Sequence, residues 1–188
     1  MNDTPRQVNM KLESVSFPEP VLGLAEQLGN QLRQRGWTCA TAESCTGGGI
    51  AYAITQIAGS SDYLTGGFVT YSNEAKVRVL GVTHSTLDRV GAVSEECAAE
   101  MAAGARRALD VDFAISSTGI AGPSGATARK PVGLVYIAVA LPDRVETRKL
   151  ALSGHRATIM QSAIHEALAL AVHLTRDRSP MNTEQESE

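Results

Sequence analysis

The sequence is short of the features that mark the most easily recognised protein classes. Its three cysteines, Cys39, Cys45 and Cys97, are odd in number and lack CxxC spacing. They offer neither a disulfide framework nor a cysteine zinc site, and they suit a reducing, cytoplasmic setting. Seventeen lysines and arginines against 20 aspartates and glutamates give a formal charge of −3. No dense basic run is present to follow a phosphate backbone, so nucleic acid is not an expected partner. No uninterrupted apolar run approaches the roughly 20 residues of a membrane span, and the opening stretch MNDTPRQVNMKLESVSFPEP has no apolar core of signal-peptide type. No cluster of His, Cys and carboxylates has metal-ligand spacing, and none of His84, His155, His165 and His173 completes a persuasive triad. With 188 residues, 43% of them apolar, the chain can bury one substantial core and is short for a second domain. These exclusions lead to the expectation of one soluble domain with no membrane partner, metal or cofactor.

What is there alternates. Residues 1–17 are polar and irregular, and 178–188 have almost nothing to bury, so both are expected to be mobile segments flanking a domain at 18–177. After Pro20, apolar residues from Val21 to Leu32 recur at helical spacing, and WTCATA reads as a short buried strand. GIAYAITQIAG reads as a helix ending at Gly59, YLTGGFVTYSN as a strand, and AVSEECAAEMAAGARRALD as an amphipathic helix capped by Ser94. VDFAISSTG is a buried strand. GLVYIAVALPDRVETRKLALS is a hairpin turning at Pro142 and Asp143, and the last helix runs from about His155 to Arg176. The sum is an α/β fold: a three-layer α/β/α sandwich with a mixed, mostly parallel sheet and a C-terminal antiparallel hairpin.

Between the first strand and the second helix stands TAESCTGGGIA, with Ser44 and Cys45 immediately before three consecutive glycines. A strand ending at Glu43 and a helix starting near Gly47 would put Ser44 where free backbone N–H groups and the positive end of the helix dipole meet. Such a turn can hold an oxyanion beside a nucleophile, and glycines let backbone approach a ligand. The same residues also suit a plain glycine-rich helix start capped by Ser44 or Thr46. In YSNEAKVRVLG, a helix capped by Asn73 would hold Lys76 in its first turn, the unfavourable end for a cation. If partly buried there, the lysine could act as a neutral base; otherwise it is a surface residue. Tyr71 could relay a proton or fill core. A second glycine-rich loop, STGIAGPSGATARKPVG, carries Gly119, Gly122, Gly125 and Gly133 and follows a sheet strand, where α/β proteins commonly receive anionic ligands, although such loops are also simple connectors.

TAESCTGG, YSNEAK, GAVSEE and TGIAGPSGATARKPVG, in this order and at these distances, resemble the CinA C-terminal domain family, whose enzymatic members are nicotinamide-nucleotide amidohydrolases. The match covers roughly residues 21–176. The resemblance implies Ser44, Tyr71 and Lys76 as the catalytic group. It also implies a substrate pocket involving Glu43, Cys45, Thr46, Gly47, Gly48, Thr118, Gly119 and Gly122, with nicotinamide mononucleotide as the substrate. Ser124, Ala126, Ala128 and Arg129 depart from the usual family loop. Long members add a molybdopterin-binding-type domain, and only the amidohydrolase half is expected here. A homodimer or higher homo-oligomer is the default for such a domain. Two other readings stand beside this one: an inactive nucleotide- or protein-binding module of the competence/damage-inducible type, and a thiol hydrolase using Cys45.

Overall fold

The computed structural model describes residues 17–176. The expected mobile ends therefore lie almost wholly outside the described residues. Phe17 is described, and its ring sits 5.7 Å from that of Tyr52, so packing begins one residue before the expected boundary. Strands β1 (Cys39–Glu43), β2 (Leu64–Val69), β3 (Phe113–Gly119), β4 (Leu134–Ala140) and β5 (Val145–Ala151) form one sheet in the order β2-β1-β3-β4-β5. β1 pairs in parallel with β2 and β3, while β3–β4 and β4–β5 are antiparallel. Four of the five strands thus point the same way, although parallel and antiparallel pairings are equal in number. The Pro142–Asp143 turn is closed by the Leu141 N–H donating to the Arg144 carbonyl at 2.8 Å.

The period-two alternation of the strands sorts the helices into two layers. Cys39, Phe113, Ile115, Val135, Ile137 and Val139 face α1 (Glu19–Arg35), α2 (Gly49–Thr55) and α6 (Arg156–Thr175), where most of the large apolar side chains lie. The alternate residues, Ala40, Ala42, Ala114, Ala138 and Ala140, face α3 (Asn73–Leu80), α4 (His84–Arg89) and α5 (Glu95–Ala108). Alanine on the sheet and the small residues of α5 give a thin second layer. It is thinnest where Leu80, the last residue of α3, rests its carbonyl against Gly104 of α5.

Several helix boundaries differ from expectation, each for a local reason. α3 is capped by Ser72, not Asn73, because the Ser72 hydroxyl reaches the Ala75 N–H at 3.1 Å. α2 starts at Gly49 and ends at Thr55; Gly59, at φ 74°, opens a 3₁₀ turn at Ser60–Asp62 instead of ending that helix. α1 starts at Glu19, with Pro20 in its first turn, where the missing N–H costs nothing. α4 has no counterpart among the expected elements; six residues are too few for a legible period, and it is held by Thr83, whose hydroxyl accepts from the Thr86 N–H. Ser94 caps α5 as expected.

The connection leaving β1 leads to β2 on one side, and that leaving β3 leads to β4 on the other. A crevice therefore opens between the C-terminal ends of β1 and β3, the general location of ligand sites in such sheets.

Because a Cβ at position 104 would strike the Leu80 carbonyl, Gly104→Ala should push α3 off α5. We expect a loss of about 1–3 kcal/mol in urea unfolding; wild-type stability would mean that the α3–α5 contact does not set the layer spacing.

Candidate active site

Side-chain parity places Glu43 on the α2 face of the sheet, and this decides what the glycine turn does. Glu43 is 1% exposed. Its carboxylate accepts the N–H groups of Gly48 (3.0 Å), Ile50 (3.0 Å) and Ala51 (2.9 Å), and the Thr46 hydroxyl at 2.6 Å. The anion held by the α2 N-terminus is therefore the protein's own. Gly47 and Gly48 have φ of 64° and 97°, which a residue with Cβ resists, and a Cβ on Gly49 would strike Ile164 of α6. The three glycines thus serve the tight turn and the packing of α6. Glu43, Thr46, Gly47 and Gly48 lie behind the crevice, not on its wall.

The backbone on either side of the turn is pinned to both neighbouring strand ends. The Glu43 carbonyl accepts from the Thr70 N–H (2.9 Å), and the Ser44 N–H donates to the Ser117 carbonyl (3.0 Å). Ser44, 9% exposed, faces the crevice. Its Oγ lies 3.0 Å from Nζ of Lys76, which is 1% exposed and also donates to the carbonyls of Thr70 (2.7 Å) and Tyr71 (3.5 Å). Burial lowers the Lys76 pKa from the ordinary lysine value, against smaller opposing contributions from Cys97 and Cys45. Nζ faces two carbonyls and one hydroxyl; in the neutral amine that burial favours, its two N–H groups can stay on the carbonyls and its lone pair can turn to the Ser44 hydroxyl.

Cys45 also reaches the crevice wall, but burial pushes its thiol up to about 12, so it stays protonated and is a poor nucleophile. Among donors of the turn, Gly47 N–H is taken by the Ser44 carbonyl at 3.2 Å. The backbone N–H groups of Cys45 and Thr46 have no partner in another residue among the described residues.

Tyr71 is placed differently from a relay. It is 61% exposed, and its phenol oxygen accepts from Arg156 at 3.0 Å, so it stands at the rim with its hydroxyl turned to α6. Thr118, Gly119 and Gly122 do line the crevice. The Thr118 hydroxyl donates to the Ala92 carbonyl at 2.8 Å, holding the opposite wall, and the Gly122 carbonyl accepts from Arg156 at 2.9 Å.

The volume enclosed is about 270 Å³. Asn73, Ala92, Val93 and Arg156 also line the crevice and were not among the site residues expected from the sequence. For Arg156 a signal existed: it is a cation in the first turn of α6, the same anomaly that marks Lys76. A larger cleft, about 730 Å³, opens at the far end of the sheet beside Trp37, Arg144 and His173, and its lining residues include no serine or cysteine. Among the described residues no cluster of three or more His, Cys, Asp or Glu is arranged to hold a metal, and no helix is long and apolar enough to cross a membrane.

A serine hydroxyl against a buried lysine, at the C-terminal edge of a mixed sheet, defines a serine–lysine site on an α/β/α sandwich. The model of the CinA C-terminal domain matches residues 22–175, and the chain belongs to that family. The nicotinamide-nucleotide amidohydrolase PncC of Escherichia coli K12 is 50% identical over 150 residues, 79% of this chain and 90% of that protein. A CinA-like protein of Syntrophobacter fumaroxidans is 47% identical over 159 residues, and there the chain spans 38% of the relative's length. The crystal structure of the competence/damage inducible protein CihA from Agrobacterium tumefaciens superposes with a TM-score of 0.83 at 41% identity, covering 89% of this chain and all of that one.

Glu43→Gln tests the internal anion, since an amide nitrogen brought to face the α2 N–H groups cannot accept from them. The expected loss is roughly 2–4 kcal/mol in urea unfolding; a variant as stable as wild type would show that the carboxylate is not needed there.

Proposed function

We propose that the protein is an amidohydrolase that converts nicotinamide mononucleotide to nicotinate mononucleotide and ammonia, with Ser44 as nucleophile and Lys76 as its base. The observation that carries this reading is the 3.0 Å approach of Lys76 Nζ to Ser44 Oγ in a buried setting that favours the neutral amine. The E. coli relative supports the choice of substrate.

In the proposed cycle the Lys76 lone pair takes the Ser44 proton as Oγ attacks the carboxamide carbon. The positive pyridinium ring makes that carbon more electrophilic. The Cys45 N–H, next to the nucleophile on the crevice wall, is the turn's donor for the tetrahedral oxyanion. The Lys76 ammonium returns its proton to the leaving nitrogen, ammonia departs, and an ester is left on Ser44. Water, deprotonated by Lys76, attacks the ester; Ser44 leaves with the proton, and the nucleotide acid is released. Nζ reaches Oγ directly, so Tyr71 is not needed as a relay and frames the mouth with Arg156. The reading includes a cytoplasmic setting and a homo-oligomer of two or more copies.

Incubation with nicotinamide mononucleotide should release ammonia and the nucleotide acid in equal amounts, and hydroxylamine should trap the acyl group. A protein that binds the nucleotide without turnover would be the inactive module instead. Ser44→Ala and Lys76→Met should each lower kcat by about 10³-fold or more, whereas Cys45→Ala should stay within about threefold of wild type. A dead Cys45→Ala with an active Ser44→Ala would transfer the chemistry to the thiol.

The base must be neutral, so kcat/KM should rise with pH in proportion to the deprotonated fraction of Lys76, with its midpoint below the ordinary lysine range and a plateau above that midpoint. Stability should move the same way. Between the lowered folded pKa and the ordinary lysine value the unfolded chain holds more protons, so the fold gains stability as pH rises through that window. Lys76→Met should abolish this slope and be the more stable protein below the window, read from urea midpoints at several pH values. A slope unchanged by the substitution would assign it to another group.

A further inference from the structure

The glycine-rich loop between β3 and β4 forms one wall of the crevice through Ile120, Ala121, Gly122, Ser124 and Gly125. Its base is closed by backbone pairs, Ile120 N–H to the Leu134 carbonyl (2.9 Å) and Gly133 N–H to the Ile120 carbonyl (2.8 Å). Its tip is a tight turn, with reciprocal bonds between Thr127 and Lys130 at 2.9 and 3.2 Å. Beyond this base the loop is moored at two points. On the α6 side Arg156 holds the Gly122 carbonyl. On the other side Lys130 reaches out of the tip and donates from Nζ to the carbonyl of Val90 at 2.5 Å.

Val90 ends α4 and is followed by Gly91, Ala92 and Val93; Ala92 and Val93 form the facing wall of the crevice. The bond therefore joins the two walls across the outside of the site. It is well suited to do so. An ammonium at the carbonyl that ends a helix is on the favourable side of the dipole, and the bond is charge-assisted. Gly91 sits directly beneath it: a Cβ there would come within 3.1 Å of Nζ, at a φ of 77°. The neighbouring carbonyls are also held, Gly91 by the Ser94 hydroxyl (2.7 Å) and Ala92 by Thr118, so the facing wall is itself fixed and gives the loop a firm mooring.

We infer that Lys130 is a positioning residue that latches the 120–133 loop to the 90–93 wall and so sets the width of the substrate crevice. It touches neither Ser44 nor Lys76, so it acts on binding of the nucleotide and not on the proton transfers. The inference rests on the amidohydrolase reading for its kinetic consequence and on the Lys130–Val90 bond alone for its mechanical one.

The two parts separate in one set of measurements on the full chain. In Lys130→Met the loop is released, so trypsin should cut after Arg129 about tenfold faster than in wild type while the thermal midpoint of the whole protein stays unchanged. KM for nicotinamide mononucleotide should rise about tenfold with kcat within about twofold. In a Ser44→Ala background, added to exclude turnover, the dissociation constant of the nucleotide should rise by the same factor. Lys130→Arg, which keeps a cation able to reach Val90, should recover most of the wild-type KM. Cleavage and KM both unchanged in Lys130→Met, or a joint fall of kcat and thermal midpoint, would overturn the latch. A wild-type protein that releases no ammonia would refute the amidohydrolase reading, and the cleavage rate after Arg129 would still decide the latch.

Discussion

The carboxylate of Glu43 in the N-terminus of α2 is the interaction on which the site depends. A buried carboxylate at a strand end is costly unless its lone pairs are filled, and here three backbone N–H groups and one hydroxyl fill them. That arrangement requires the chain to turn sharply between β1 and α2, which requires glycine at 47 and 48 and a close approach by α6 at Gly49. Ser44 is the first residue of the turn. Its position follows from an electrostatic constraint that is met behind it.

A consequence runs against the usual expectation for a glycine-rich helix start. Such a terminus is commonly the seat of an external anion, yet here it is filled from within. The polar groups of a ligand in the crevice must be met elsewhere, and the lining offers other means: the Cys45 turn amide, the Asn73 amide and the Arg156 guanidinium at the rim. The cost of burying Lys76 is met in a similar way. Its amine sits among two backbone carbonyls and a hydroxyl, which satisfy its hydrogen bonds while burial disfavours the ammonium. The thin alanine layer between α5 and the sheet brings α3 in close enough for this, through the Leu80–Gly104 contact.

Most of the architecture was legible because β1, β3 and β4 are continuously apolar or nearly so and the long helices carry apolar stripes. β1, β3 and the inward residues of α6 follow from apolar patterning, the β4–β5 hairpin from its Pro142–Asp143 turn, and the start of α5 from the capping preference of Ser94. What was missed is short or marginal. α4 has too few residues for a period, and Ser72 and Asn73 are adjacent residues of equal capping ability, so only the register of α3 could choose between them. In the site, Ser44 and Lys76 stood out by chemistry, the lysine because it breaks a helix rule. Arg156 breaks the same rule at the start of α6.

The sequence by itself determined the residue types, the order of elements and the presence of a serine beside a turn that demands glycine, because these depend on local backbone preference and on periods that a short window contains. Only the tertiary structure decided which way each side chain faces. Glu43 and Ser44 are consecutive, and the pleat sends one to α2 and the other toward the crevice; Lys76 is 32 residues from Ser44, and the return of the chain through β2 beside β1 brings them to 3.0 Å. Tyr71 belongs to the same short motif as Lys76, yet its phenol is held by Arg156, 85 residues away. Pairings at such separations are set by packing and by sheet order, which no local preference encodes.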